Sequence, residues 1–195
     1  MRHTTLLTFG LLALALAGAN FFVKSAYAEN PTVYGNKQAK LRIVELIDYQ
    51  CPYCQIVHQR LNEALKADNN ASVEIIPLPW ISEESAEVAK LVLAAKLQGK
   101  DLALHQELLN KPSPQSLGQA KDIAKSLGID MAQAERDMGS KAIKDQIEAN
   151  LRMAIELKMK TTPGLLIGDT LYTPGKDEMP TVNQLRMMID ENTKN

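Results

Sequence analysis

The 195-residue chain has two cysteines, set three residues apart in Cys51-Pro52-Tyr53-Cys54. Two thiols at this spacing close into a disulfide and reopen, which suits them to thiol–disulfide exchange if the first sulfur is ionised. Two other uses compete. A purely structural cross-link closes so small a loop that it removes little chain entropy, and a chain of this size buries a core without staples. A metal site could draw on Cys51, Cys54 and His58, the last one turn past Cys54, but neither a second CxxC nor an HxxxH pair accompanies them. His58 and His105 otherwise read as ordinary helix residues, and the eight methionines form no ligand-like cluster.

The pair's chemistry depends on the elements around it. Leu41 to Ile47 is a short run rich in β-branched residues, which predicts a buried central strand. After it, Val57, Leu61, Ala64 and Leu65 recur at helical spacing, so Cys51 to Lys66 reads as loop turning into helix. Cys51 then lies at the helix mouth, where backbone N–H groups lack intrahelical acceptors and the dipole end is positive. A thiolate there is stabilised, with its pKa below the free value of about 8.5. This predicts Cys51 as the exposed nucleophile. Cys54, in line with Val57 and Leu61, is the inward sulfur that resolves a mixed disulfide. Pro52 suits the first helical position, where its missing N–H costs nothing.

Val73 to Ile76, closed by Pro77 and Pro79, predicts a second strand and completes a β-α-β start. Roughly eighty helical residues follow. Ser82 with Glu83 and Glu84 opens one helix and Gly99 closes it. Asp101 to Asn110 reads as another, while Ser116 with Gln119 and Asp130 with Gln133 have capping-box spacing. Ile143, Ile147, Leu151, Ala154 and Ile155 mark an apolar stripe from about Ser140 to Met159. Thr161-Thr162-Pro163 breaks the pattern before a hairpin, Gly164 to Tyr172, turned at Gly168-Asp169. A last helix starts near Thr181, with Gln184 at capping distance.

The first residues combine Arg2, an apolar run from Leu6 to Ala19, and Ala26-Tyr27-Ala28, a small-x-small cleavage pattern. Residues 1–28 are therefore expected to be a secretory signal, with an uncleaved anchor as the alternative, and the folded domain to lie outside the cytoplasm. Residues 29–40 read as a loosely held lead-in, with structure beginning at Leu41. The remainder, 41–195, reads as one domain with a helical insertion at about 82–159; no repeat or composition break marks another. Loss of the leader removes Arg2 and Lys24 and no acid, so 22 bases become 20 against 23 acids. That mild negative balance gives no sign of nucleic acid as a partner.

Together, Val33-Tyr34-Gly35-Asn36, the run Val44 to Cys54, the long helical insertion and Thr162-Pro163 ahead of a hairpin resemble the DsbA family of bacterial periplasmic oxidoreductases. The resemblance covers nearly all of the chain after the leader. It implies an α/β thioredoxin-like fold with an inserted α-helical subdomain, and no cofactor beyond the redox-active Cys51/Cys54 disulfide. It also implies that Pro163 is cis and lies against the CxxC, and that with Thr162 it offers backbone to an extended substrate. A simple turn leading into a strand is the plainer reading of that pair. Glu45 matches the family's buried acid, thought to move protons to and from Cys54; a surface-facing Glu45 is the alternative. Asp48 and Gln50 read as loop residues. The implied partners are reduced or unfolded exported proteins and a membrane redox protein. The best-studied relatives carry histidine between the cysteines, whereas Pro52-Tyr53 adds no positive charge, which predicts a milder oxidant. Oxidase is the expected direction, with reductase or isomerase as alternatives.

Overall fold

The computed structural model describes residues 31–68, 70–112 and 116–194. The expected secretory signal, 1–28, lies outside them. Five strands form one sheet: β1 Thr32–Gly35, β2 Leu41–Ile47, β3 Ala71–Pro77, β4 Gly164–Ile167 and β5 Thr170–Tyr172, in spatial order β1-β3-β2-β4-β5. β2 and β3 run parallel with Leu41 opposite Ala71, and β4 runs antiparallel to β2 with Leu46 opposite Gly164. The parallel pair needs a crossover, which helix α1, Pro52–Asp68, supplies.

Between β3 and β4 come α2 Glu83–Lys96, α3 Asp101–Asn110, α4 Leu117–Ser126, α5 Met131–Met138 and α6 Lys141–Glu156, and α7 Val182–Thr193 ends the chain. The expected helix starts are capped, although the Asp130 cap lacks the reciprocal Gln133 side-chain bond that its capping-box spacing predicts. Ser82, Ser116, Asp130, Ser140 and Thr181 accept amide hydrogens from the first turns of their helices, and Gln119 and Gln184 complete reciprocal capping boxes. The hairpin turns where expected, with Gly168 at φ +58°, a left-handed conformation that costs glycine little.

β2 is covered on both faces, which explains why apolar residues occupy both alternating sets of its positions, Arg42 and Glu45 being the two polar exceptions. Ile43 and Ile47 share a cluster with Val57 and Leu61 of α1, Leu104 and Leu108 of α3, and Leu185 and Ile189 of α7. Val44 and Leu46 face the other way, onto Ile76, Leu78, Met153 and Met159. Each of these fully buried aliphatic side chains contributes roughly 1.5–3 kcal/mol.

Two readings need correction. Structure does not begin at Leu41, because Thr32–Gly35 pairs antiparallel with β3, Thr32 opposite Ile75. This short edge strand buries Tyr34, and Gly35 ends it at φ +78°, where a Cβ would meet the Ala71 carbonyl oxygen at 2.7 Å. Pairing with an existing strand needs only four residues, fewer than a periodicity argument can register. Ile155, placed on the inward stripe of α6, is instead 66% exposed, since α6 is amphipathic and one residue past Ala154 turns away from the sheet.

Glu74 of β3 is fully buried, and burial pushes its carboxyl up to about 7 despite the opposing pull of Arg42 and Lys96. The folded state thus holds this proton over a pH range where the unfolded chain releases it. Its contribution is most favourable below about pH 4.5 and is lost as pH rises toward 7. Glu74→Gln should therefore raise the melting temperature at pH 8 and leave it little changed at pH 4. A lower melting temperature at pH 8 would show that the Arg42 pair, 3.2 Å long, outweighs desolvation.

Candidate active site

Cys51 immediately precedes α1, and its amide donates to the Asp48 carbonyl at 3.0 Å. Pro52 is the first helical residue, as expected, and is exposed. The two cysteines are free thiols. The Cys54 amide, in the first turn, points back to Cys51 Sγ at 3.4 Å, so one of the helix's orphan donors serves the sulfur. Cys54 Sγ accepts from the Asp48 amide at 3.4 Å.

The segment ahead of β4 closes over this pair. The Thr162–Pro163 peptide is cis, and the Thr162 carbonyl oxygen lies 3.5 Å from Cys51 Sγ. The predicted site thus draws Cys51, Cys54, Thr162 and Pro163 together across 111 residues of sequence. Cys51 is less open than expected. It is only 3% exposed, because Thr162 covers the sulfur that the helix end alone would have presented to solvent.

The two thiols are polarised in opposite directions. A hydrogen bond from Cys54, assisted by Thr162 and the amides of Cys54 and Tyr53, lowers Cys51 to about 6 against the effect of burial. Burial pushes Cys54 up, and hydrogen bonding to Cys51 and the charge on that sulfur add to it. At neutral pH one sulfur is thus a nucleophilic thiolate and the other a protonated reserve. This arrangement supports attack by Cys51 and resolution by Cys54.

Beneath the cysteines lies a polar network that the sequence reading only partly anticipated. Glu45 is fully buried, which settles its orientation away from solvent. The Tyr34 hydroxyl donates to Glu45 Oε2 at 3.0 Å, and His58 Nδ1 stands 3.1 and 3.2 Å from the two carboxylate oxygens. His58 Nε2 is engaged by Asn62 at 2.8 Å. Both His58 nitrogens are therefore used away from the cysteines, and Cys51, Cys54 and His58 do not converge as a donor set. His105, whose ring centroid is 4.6 Å from that of His58, meets the Tyr49 hydroxyl through Nδ1 at 3.1 Å. Burial keeps His105 neutral by lowering its pKa well below the usual imidazole range, and the neighbouring His58 adds to the effect.

Asp48 is more than a loop residue. It is buried; Oδ2 accepts the amides of Trp80 and Ile81 at 2.8 and 2.9 Å, and Oδ1 accepts that of Gln50 at 2.8 Å. One carboxylate thereby ties the loop after β3 to the loop carrying Cys51. Gln50 in turn accepts from Ser82 at 2.6 Å and donates to Glu84 at 3.0 Å, linking the cysteine loop to the start of α2. Glu45 was anticipated through the family resemblance, and the position of His58, four residues after Cys54 on the inward face of α1, offered a further clue. Tyr34, Tyr49 and Asp48 lie outside any periodic pattern.

A CxxC at a helix mouth, faced by a cis-proline loop on a β-α-β, β-β-α sheet, defines a thioredoxin-fold thiol:disulfide oxidoreductase. A thioredoxin family model matches residues 27–191, and the chain belongs to this family, with helices inserted between the strands as in DsbA-like structures. Over 158 residues it is 25% identical to a probable disulfide bond formation protein D of Bacillus cereus, covering 74% of this chain and 73% of that one. A thioredoxin-like oxidoreductase from Silicibacter pomeroyi superposes with a TM-score of 0.78 at 28% identity, over 86% of this chain and 95% of that one. The thiol-disulfide exchange protein alpha-DsbA2 of Wolbachia pipientis shares the fold, with a TM-score of 0.76 at 23% identity over 88% and 92% of the two chains.

Alkylation of the reduced protein across a pH series should show Cys51 reacting with a midpoint near 6, while Cys54 stays unreactive in the folded state. Cys54→Ala, which removes the strongest of the interactions that lower it, should move the midpoint up toward that of an ordinary thiol. A wild-type midpoint already at the ordinary value would contradict the polarised pair.

Proposed function

We propose that the chain is a dithiol oxidase, donating its Cys51–Cys54 disulfide to reduced or unfolded exported proteins. The supporting observation is the set of donors on Cys51 Sγ, among them the Cys54 amide at 3.4 Å and the Cys54 thiol, which hold its pKa down to about 6. A stabilised thiolate favours the reduced form of the couple, so the disulfide is readily given away. Because Pro52-Tyr53 contributes no cation, that preference rests on hydrogen bonds alone, which fits a milder oxidant than a histidine-bearing relative.

In this reading a substrate thiolate attacks Cys51 Sγ, the Cys51–Cys54 bond breaks, and Cys54 leaves as a thiolate that takes up a proton. A second substrate thiolate then attacks the substrate sulfur of the mixed disulfide and expels Cys51 as a thiolate. The substrate loses two electrons and the enzyme gains them. Glu45, linked to His58 beneath the pair, is assigned the proton traffic to and from Cys54. Thr162 and Pro163 are assigned the substrate backbone, bound as an added extended strand, which accommodates many unrelated sequences. Pro52 and Tyr53 tune the couple. A membrane redox partner then restores the disulfide.

Arg2, the apolar run from Leu6 to Ala19 and Ala26-Tyr27-Ala28 support a secretory signal over 1–28 and hence a periplasmic site for this chemistry, where thiols are not kept reduced. Among the described residues no helix is long and apolar enough to cross a membrane.

Cys51→Ser should reduce catalysed oxidation of a reduced test protein to the uncatalysed rate, and Cys54→Ser should accumulate mixed disulfides through Cys51. Normal turnover by either variant would defeat the assignment. Equilibration with glutathione separates the directions: an oxidising couple supports disulfide donation, and one as reducing as a cytosolic thioredoxin would favour the reductase alternative.

A further inference from the structure

Glu45, His58 and His105 form a cluster that disulfide exchange does not account for in full. Each offers one ligand atom, and these three atoms lie within 4.8 Å of one another, with exposures of 0%, 1% and 0%. Two imidazoles and a carboxylate are a donor set used for zinc-class divalent cations. His105 supplies a second, independent observation. Its Nδ1 is taken by Tyr49, but its Nε2 is buried without any hydrogen-bond partner. A buried polar nitrogen left unsatisfied costs about 1–3 kcal/mol, so it needs a reason.

The surroundings fit a ligand role. Metal-binding imidazoles are held through the ring nitrogen that faces away from the ion. Here the Tyr49 hydroxyl can accept from His105 Nδ1, whereas Asn62 Nδ2 stands 2.8 Å from His58 Nε2, so ligation through His58 Nδ1 requires the Asn62 amide to turn its oxygen toward Nε2. Two ligands on one tetrahedral ion with bonds of ~2.0–2.1 Å stand about 3.3 Å apart. His58 Nδ1 is 3.1 and 3.2 Å from the Glu45 oxygens. The Tyr34 hydroxyl, 3.0 Å from Glu45 Oε2 and 3.5 Å from His58 Nδ1, stands near a fourth corner. A movement of His105 by at most roughly 1.5 Å would complete that spacing.

We infer that Glu45, His58 and His105 form a buried binding site for a zinc-class divalent cation beneath the redox pair. With all three ligands sealed from solvent, the ion enters as the chain folds rather than through the finished surface. An ion held there engages Glu45 and His58 as ligands and withdraws them from proton exchange with Cys54, so occupancy slows the step in which Cys54 leaves and takes up its proton. The site itself stands whether or not the oxidase reading does.

The test uses the full chain carrying Cys51→Ser and Cys54→Ser, which removes thiol ligands, unfolded and refolded with Co(II) and then dialysed. The expected result is about one cobalt retained per chain, with the d–d absorption of a four-coordinate ion and no sulfur charge-transfer band. His105→Ala should reduce retention by at least about tenfold, a loss that even removal of an outer-shell partner produces. Absence of retained cobalt, or equal retention after His105→Ala, would overturn the site. Should that variant not fold, X-ray absorption on the parent protein decides: scattering from two imidazoles supports the site, and fewer than two refutes it.

Discussion

The hydrogen bond between the two active-site sulfurs organises this molecule's chemistry. Placed side by side at the end of a helix, two thiols of equal intrinsic acidity are made unequal. Cys51 takes the hydrogen bonds that favour a negative charge, and Cys54 takes the burial that disfavours one. Neither condition would suffice alone. A helix terminus stabilises an anion through its unpaired amides, but the Cys54 amide reaches Cys51 Sγ at 3.4 Å, a modest contact for sulfur. The partner thiol adds the strongest contribution because it can give up its own hydrogen bond only while it stays protonated, and burial keeps it so. The asymmetry of roles, one sulfur attacking and the other waiting, follows from this mutual dependence.

That contact needs a rigid frame, since sulfur hydrogen bonds of this length weaken quickly with displacement. Much of the frame converges on Asp48. Its backbone holds both cysteines, accepting from Cys51 and donating to Cys54, and its carboxylate binds three further amides. β2 places Asp48, and β2 is itself gripped on both faces by apolar side chains and on both edges by β3 and β4. Because β4 pairs directly with β2, the Thr162–Pro163 loop that leads into β4 arrives above the helix mouth. The helical insertion changes none of this pairing. It covers the sheet on both faces, α3 on one and α6 on the other, and sends His105 into the polar network under the cysteines.

Much of the frame was legible before any coordinates. The short β-branched run of β2 called for a buried central strand, and the caps at Ser82, Ser116, Asp130 and Thr181 called for helix starts that the structure reproduces within a residue. Local chemistry decides such features, so local sequence reveals them. The edge strand β1 was missed because four residues carry no readable period and their pairing partner lies some forty positions away. Ile155 was misplaced because a stripe drawn from apolar residues alone takes in one that the helix turns outward.

The sequence by itself determined that two thiols would sit at the junction of a buried strand and a helix, because strand, helix and cap signals are all local in range. It also determined which sulfur would face inward, through the spacing of Cys54 with Val57 and Leu61. Only the tertiary structure decided that Thr162 would cover Cys51 and that Asp48 would bind the loops together. Packing likewise sealed Glu45, His58 and His105 into one pocket. Those outcomes join residues separated by tens of positions, and no periodicity encodes a meeting that depends on how the sheet and its helices pack.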